Sequence, residues 1–198
     1  MSRSRCVVAI LLGLFLSGLS VVMFIHDFEY IITGNTVDLN EILENNGELP
    51  RDKFVTFTCE APVCNYAETR NYINGIIPMP FKSQQYAMIG ENGMVFSAKV
   101  GKKAKIKEMD QAIDAFYNDS AVSVKLTGIF QINSPKMDSF LQEGMEYVIG
   151  DDMEDSGLFL TSYVIDTTKT RLSQALTYGF LLVIGVFLVV FNIRSLKR

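Results

Sequence analysis

Histidine is almost missing from this chain: His26 is the only one in 198 residues, and tryptophan is absent altogether. A lone imidazole at the edge of an apolar run takes the commonest general base away from the rest of the molecule, so any Ser-His-Asp arrangement would have to recruit His26. Motifs of metal and phosphate chemistry are missing as well. There is no HExxH, no CxxC and no glycine-rich loop ending in Lys-Ser/Thr; Gly101-Lys102-Lys103 lacks both the leading glycine and the hydroxyl. Zinc would need ligands that the sequence scarcely has. These absences lead us to expect no catalytic residues, no cofactor and no resident metal.

Acidic residues are missing from both ends. All 22 lie between Asp27 and Asp166, and the two ends, Met1–His26 and Ala175–Arg198, carry only the basic charges of Arg3, Arg5, Arg194, Lys197 and Arg198. Those five come out of 18 basic residues, which leaves 13 in the middle and a net charge of −9 there, although the whole chain sums to only −4. Such polarisation excludes an ordinary soluble globule. It also excludes a nucleic-acid binder, which needs a basic face.

Charge is also absent from two long runs, Cys6–Ile25 (20 residues) and Ala175–Ile193 (19 residues). At about 1.5 Å per residue each reaches the ~30 Å of a bilayer core, and neither has the polar stripe of a buried soluble helix. Arg3 and Arg5 precede the first run and Arg194, Lys197 and Arg198 follow the second. The positive-inside rule then puts both basic ends, 1–5 and 194–198, in the cytoplasm and residues 27–174 outside. Lys169 and Arg171 dilute that signal slightly. A cleaved signal peptide is the competing reading of the first run, but the run is long for an h-region, and Gly18-Leu19-Ser20 is followed by further apolar sequence. Gly13 and Gly185, and Ser20 and Gly179, lie at matching depths from the cytoplasmic arginines. An antiparallel pair of helices would bring these small residues together.

The segment 27–174 is long enough for one domain. Asp38-Leu-Asn-Glu41 reads as a capping box opening a short helix that Asn46-Gly47 ends. Val55, Phe57, Cys59 and Ala61 alternate with polar residues as a half-buried strand, which Pro62 stops. Asn65–Lys82 reads as irregular, with Pro78 and Pro80 imposing an extended, turn-like path. Gln85–Gly90 and Met94–Val100 flank Asn92-Gly93, a pair that favours a tight hairpin turn with two positive-φ residues. Lys102–Tyr117 has a helical apolar stripe, and Val122–Asn133 alternates as a long strand with a bulge or bend at Gly128. A short helix over Asp138–Met145 and a last strand over Leu158–Asp166 complete the order. That layout predicts an α+β membrane protein: two transmembrane helices flanking a small, mainly-β, OB-like five-stranded barrel.

The stretches "GELPRDKFVTFTCE", "NYAETRNY", "YAMIGENGMVFSAKV" and "VKLTGIFQI", set between a basic start with a membrane helix and a terminal helix, resemble an uncharacterised family of small bacterial two-helix membrane proteins. The resemblance covers nearly the whole chain. It implies a cell-membrane location and an OB-like extracytoplasmic domain, and brings no active site. A looser likeness is to mitochondrial two-helix ligases, whose Cys/His-rich tail these residues do not contain.

Three polar features remain. Cys59 and Cys64 are five residues apart; along one strand they would be ~17 Å apart on opposite faces, whereas a turn at Ala61-Pro62 would allow a disulfide. Either free thiols or a bridge fits the sequence, and a redox role for the pair is the enzymatic alternative. Four carboxylates within Asp151–Asp155 would suit a hard cation or simply solvate a loop. Lys99, Lys102, Lys103, Lys105 and Lys107 would meet an anionic lipid or polymer, or form a solvated helix face. We therefore expect a non-enzymatic membrane protein with the lipid bilayer and an unidentified membrane or envelope protein as partners.

Overall fold

The computed structural model describes residues 3–73, 77–118, 120, 122–150 and 156–196, without the side chains of 71–73 and 77–81. The acidic run Asp151–Asp155, and Lys197 and Arg198 of the basic end, lie outside the described residues. In chain order the elements are α1 (Arg3–His26), α2 (Phe28–Thr33), β1 (Val37–Asp38), α3 (Leu39–Glu44), β2 (Lys53–Cys59), β3 (Pro62–Ile73), β4 (Ile77–Ile89), β5 (Met94–Val100), α4 (Lys103–Tyr117), β6 (Val124–Ile132), α5 (Pro135–Ile149), β7 (Phe159–Asp166) and α6 (Arg171–Leu196). They form two units, Met1–Asn35 with Thr170–Arg198, and Thr36–Lys169.

The first unit is built on α1 and α6, of 24 and 26 residues, both long and apolar enough to cross a membrane. Val7, Leu11, Phe15 and Val22 on α1, and Phe180, Val183 and Phe187 on α6, are exposed, so these helices offer apolar side chains to their surroundings. Where α1 and α6 touch, small residues set the distance. A Cβ at Gly13 would sit 2.6 Å from the Gly185 carbonyl oxygen, and one at Gly185 would sit 2.3 Å from Ser17 Oγ. Ser20 Oγ donates to the Tyr178 carbonyl at 2.7 Å. Gly179, expected opposite Ser20, has open space around it. The contact falls one residue earlier, and with 3.6 residues per turn that single step turns Gly179 away. The brief helix α2, which the sequence reading missed, ends at Gly34 (φ +77), and the Arg171 guanidinium donates to the Ile31 and Ile32 carbonyls at that end.

The second unit is an open mixed sheet of seven strands in the order β1-β2-β6-β7-β5-β4-β3. The expected five-stranded OB-like barrel is not what forms: among the described residues no pairing joins β3 to β1, so the sheet does not close. The difference comes from Asn65–Lys82. Instead of an irregular path, this stretch supplies most of β3 and the start of β4, paired antiparallel through three register shifts. Prolines disguise it. Pro62 is the first residue of β3, and β4 pairs with β5 only from Gln84 onward. Pro78 and Pro80 therefore fall where β4 has one neighbouring strand and need not donate on both sides.

Other local readings hold with adjustments. Asp38 Oδ1 accepts from Asn40 N at 3.0 Å and opens α3, and Asn46 takes a positive φ after it. At the hairpin only Gly93 is left-handed (φ +80), and Asn92 instead accepts from Met94 N through Oδ1 at 3.1 Å. Helix α5 runs well past Asp138–Met145 in both directions, since Ser134 caps it and Pro135 takes its first turn. Gly128 is required by proximity: a Cβ there would sit 2.5 Å from the Asp166 carbonyl oxygen of β7.

Two apolar layers cover the sheet. On one face α3 and α4 bury Leu39, Leu43, Met109 and Ala112 against Phe57, Tyr86, Met88, Phe96, Leu126, Phe130 and Ile165. Edge-to-face contacts of Phe96 with Phe57 (5.1 Å) and Phe130 (6.2 Å) add roughly 0.5–1.5 kcal/mol each beyond burial. On the other face α5 packs Leu141 and Met145 on Val63, Ala87 and Val95. The second layer is small, and α5 leaves part of that face to polar side chains.

Candidate functional site

The uncovered part of the α5 face follows from strand register. Alternation along β4 sends Tyr86 and Met88 toward α4 and leaves Ser83, Gln85 and Ala87 on the α5 side. Register then lines up Ala67, Gln85, Lys99 and Asp166 across β3, β4, β5 and β7, with Thr69 opposite Ser83. Ala87 and Val95 lie under α5, whereas the row from Gln85 to Asp166 lies beyond its N-terminus.

From this row Gln85 and Lys99 line a cleft with two adjoining compartments that share Thr69 and Lys99. One compartment, of about 280 Å³, is lined by Lys82, Lys99 and Lys102 together with the hydroxyls of Thr69, Ser83, Thr167 and Thr168. The other, of about 330 Å³, is lined by Gln85, Gln131, Asn133 and Ser134 with an apolar flank of Ile132, Met137 and Val164. The pair β5 and β7 is parallel, and Lys99 and Asp166 lie near its carboxyl ends, where open sheets commonly hold their ligands.

Hydrogen bonds fix most of the floor. Asp166, 2% exposed, receives Lys99 Nζ at 3.2 Å on Oδ2 and Thr168 N at 3.0 Å on Oδ1. Ser97, fully buried, has Tyr66 OH at 2.6 Å and Asn133 Nδ2 at 3.4 Å from its Oγ. Burial pushes the Tyr66 phenol above its ordinary value. Lys82 pairs with Glu68 at 2.7 Å, and that contact holds the Glu68 carboxyl below its usual range. Gln85 is the exception. It is 3% exposed, and its Oε1 has no hydrogen-bond partner among the described residues.

The arrangement is suited to binding. Its lining brings cations, hydroxyls and amides together, and no imidazole. Lys99 is held by a buried carboxylate, and the nearby phenol is kept protonated. No group of three or more His, Cys, Asp or Glu able to hold an ion occurs among the described residues.

Of the residues singled out from sequence that the structure describes, Lys99 and Lys102 line the cleft. Cys59 and Cys64 are free thiols, not a disulfide. Cys59 is fully buried in the α4 layer at the end of β2, and Cys64 packs with the α5 layer, so the sheet separates them. Burial pushes the Cys59 thiol up to about 12 and raises Cys64 too, the opposite of a reactive redox pair. Cys6 is buried in the α1–α6 unit. Of the lysine cluster, Lys99 and Lys102 line the cleft, whereas Lys105 pairs with Glu108 on α4. Gln85, Ser83 and Asn133 were missed. Their burial shows only once the sheet is assembled.

No protein-family model, no curated protein and no solved structure matches this chain.

Proposed function

We propose that the chain is a two-span membrane protein with both ends in the cytoplasm, and that the domain between the spans is a non-enzymatic binding module on the extracytoplasmic side. The observation that carries the binding reading is the cleft, a ready-made polar recess with a buried unpaired acceptor and no nucleophile–base pair. The spanning reading rests on helix length and apolarity, and the orientation on the basic ends. The resemblance to small bacterial two-helix membrane proteins agrees with both. Lipid surrounds the two helices in this account, and the module holds its ligand or partner at the cleft.

Ile132, 54% exposed on the cleft rim, gives the test. A photo-crosslinking amino acid placed there is expected to give an ultraviolet-dependent adduct in native membranes, and the adduct is expected to weaken when Lys82 and Lys102 are both replaced by Gln. An adduct-free chain, in membranes where the full-length protein is folded, would contradict the binding reading.

A further inference from the structure

We infer that the cleft binds a phosphate ester of a small polyol or sugar, an assignment that rests on the binding-module reading above. Two features of the first compartment select a compact dianion. Lys82, Lys99 and Lys102 line it together with the Ser83 hydroxyl, while the Thr168 hydroxyl donates to Asp166 Oδ1. Lys99 and Lys82 are shared with Asp166 and Glu68, but Lys102 has no ion-pair partner among the described residues. Lys102 is also the N-cap of α4, whose start has no side-chain cap and no acid in its first turn. The free N–H groups and the positive end of the helix dipole there favour an oxyanion. Ser134 and Met137, at the start of α5, line the other compartment, but there Ser134 Oγ already accepts from Met137 N and Asp138 sits in the first turn, so the open helix end is that of α4.

The second compartment selects what is attached to the anion. Gln85 is an independent pointer to a ligand, because the residue is 3% exposed and its Oε1 has no donor among the described residues, which is costly for a buried carbonyl. It calls for a neutral hydroxyl. Gln131, whose Oε1 accepts from Lys169 Nζ, lines the same compartment, and Met137 and Val164 supply a C–H surface, the combination that suits a polyol chain or sugar ring. Free phosphate would satisfy the lysines and leave Gln85 unpaired. A neutral sugar would do the reverse. Nucleotides fit poorly, since no aromatic side chain lines either compartment among the described residues and a base would have nothing to stack on.

The test uses the full chain in phosphatidylcholine nanodiscs, titrated calorimetrically with glycerol 1-phosphate, glucose 6-phosphate, inorganic phosphate and glucose. Both esters are expected to bind saturably and at least tenfold more tightly than phosphate or glucose. Gln85→Met is expected to weaken the esters at least tenfold while leaving phosphate binding and Tm unreduced, which a merely structural glutamine would not do. Lys82→Gln with Lys102→Gln is expected to weaken esters and phosphate alike and to flatten the salt dependence. A parallel arm with phosphatidylglycerol in the nanodisc separates the sources. Loss of soluble-ester binding there identifies a lipid headgroup, and unchanged binding identifies a soluble ester. Esters binding no better than phosphate, or insensitivity to Gln85→Met, would overturn the assignment. Absence of ester binding in both arms while the Ile132 adduct persists would overturn the ligand class and leave the binding module standing. Loss of both would remove the module as well.

Discussion

At Cys59 burial decides the chemistry of a residue that its sequence neighbourhood left open. The thiol lies in the α4 layer, where desolvation penalises the thiolate and pushes its pKa to about 12 from an ordinary 9.0. The folded state therefore holds its proton longer than the unfolded chain does. The resulting stability is fully present below pH ~9 and is lost as pH rises from ~9 toward 12, with a slope of about 1.4 kcal/mol per pH unit from this group. Tyr66 and Tyr86 are raised in the same direction, so Cys59→Ala is expected to make the alkaline decline shallower without abolishing it. Thermal unfolding followed by far-ultraviolet circular dichroism from pH 8 to 11.5 checks this; an unchanged slope in the variant would contradict it. Two cleft residues should respond oppositely to removal of their polar groups. Asp166→Ala removes the partner of the part-exposed Lys99 and opens the Thr168 turn, and should lower stability by about 1–3 kcal/mol. Gln85→Met removes an acceptor that has no partner among the described residues and should leave stability unchanged or raise it by about 1 kcal/mol. Equal losses in the two variants would show that the Gln85 carbonyl is satisfied after all.

Helices and strands were legible wherever one periodicity ran uninterrupted. The stripe of Ile106, Met109 and Ile113 announced α4, and alternation through Val124, Leu126 and Phe130 announced β6. The long β3–β4 hairpin was not legible, because three register shifts break its alternation and three prolines imitate loop chemistry. With that hairpin hidden, a five-stranded barrel was the natural count. Seven strands with distinct edges replace it. Contacts between elements were legible only in part. Gly13 and Gly185 do meet, but helical phase takes Gly179 out of the interface. Gly185→Val is therefore expected to weaken the α1–α6 contact by about 1–3 kcal/mol, and Gly179→Val to leave it nearly unchanged. Disulfide trapping of cysteines placed on the two helices, in membranes, reads the difference. Equal trapping efficiency in both variants would mean that the close approach at Gly185 does not set the packing.

Taken as a whole, the chain is organised by where its charge is not. A net of −4 comprises a strongly acidic middle and two basic ends, with an uncharged apolar run inside a long helix at each changeover. That division was readable without coordinates, because apolar length and charge sign are properties of composition along the chain. The cleft was not, because Gln85, Lys99 and Asp166 come from three strands and meet only through register. The two-sided arrangement is the premise on which the cleft's accessibility depends. Its most direct test is impermeant-maleimide labelling in intact cells of single-cysteine chains made in a background without Cys6, Cys59 and Cys64. Tyr147, 92% exposed on α5, is the external reporter and Ser195, near the end of α6, the internal one. Tyr147→Cys is predicted to label in intact cells and Ser195→Cys only after permeabilisation. Labelling of Tyr147→Cys only after permeabilisation, or of both reporters on the same side, would contradict the account.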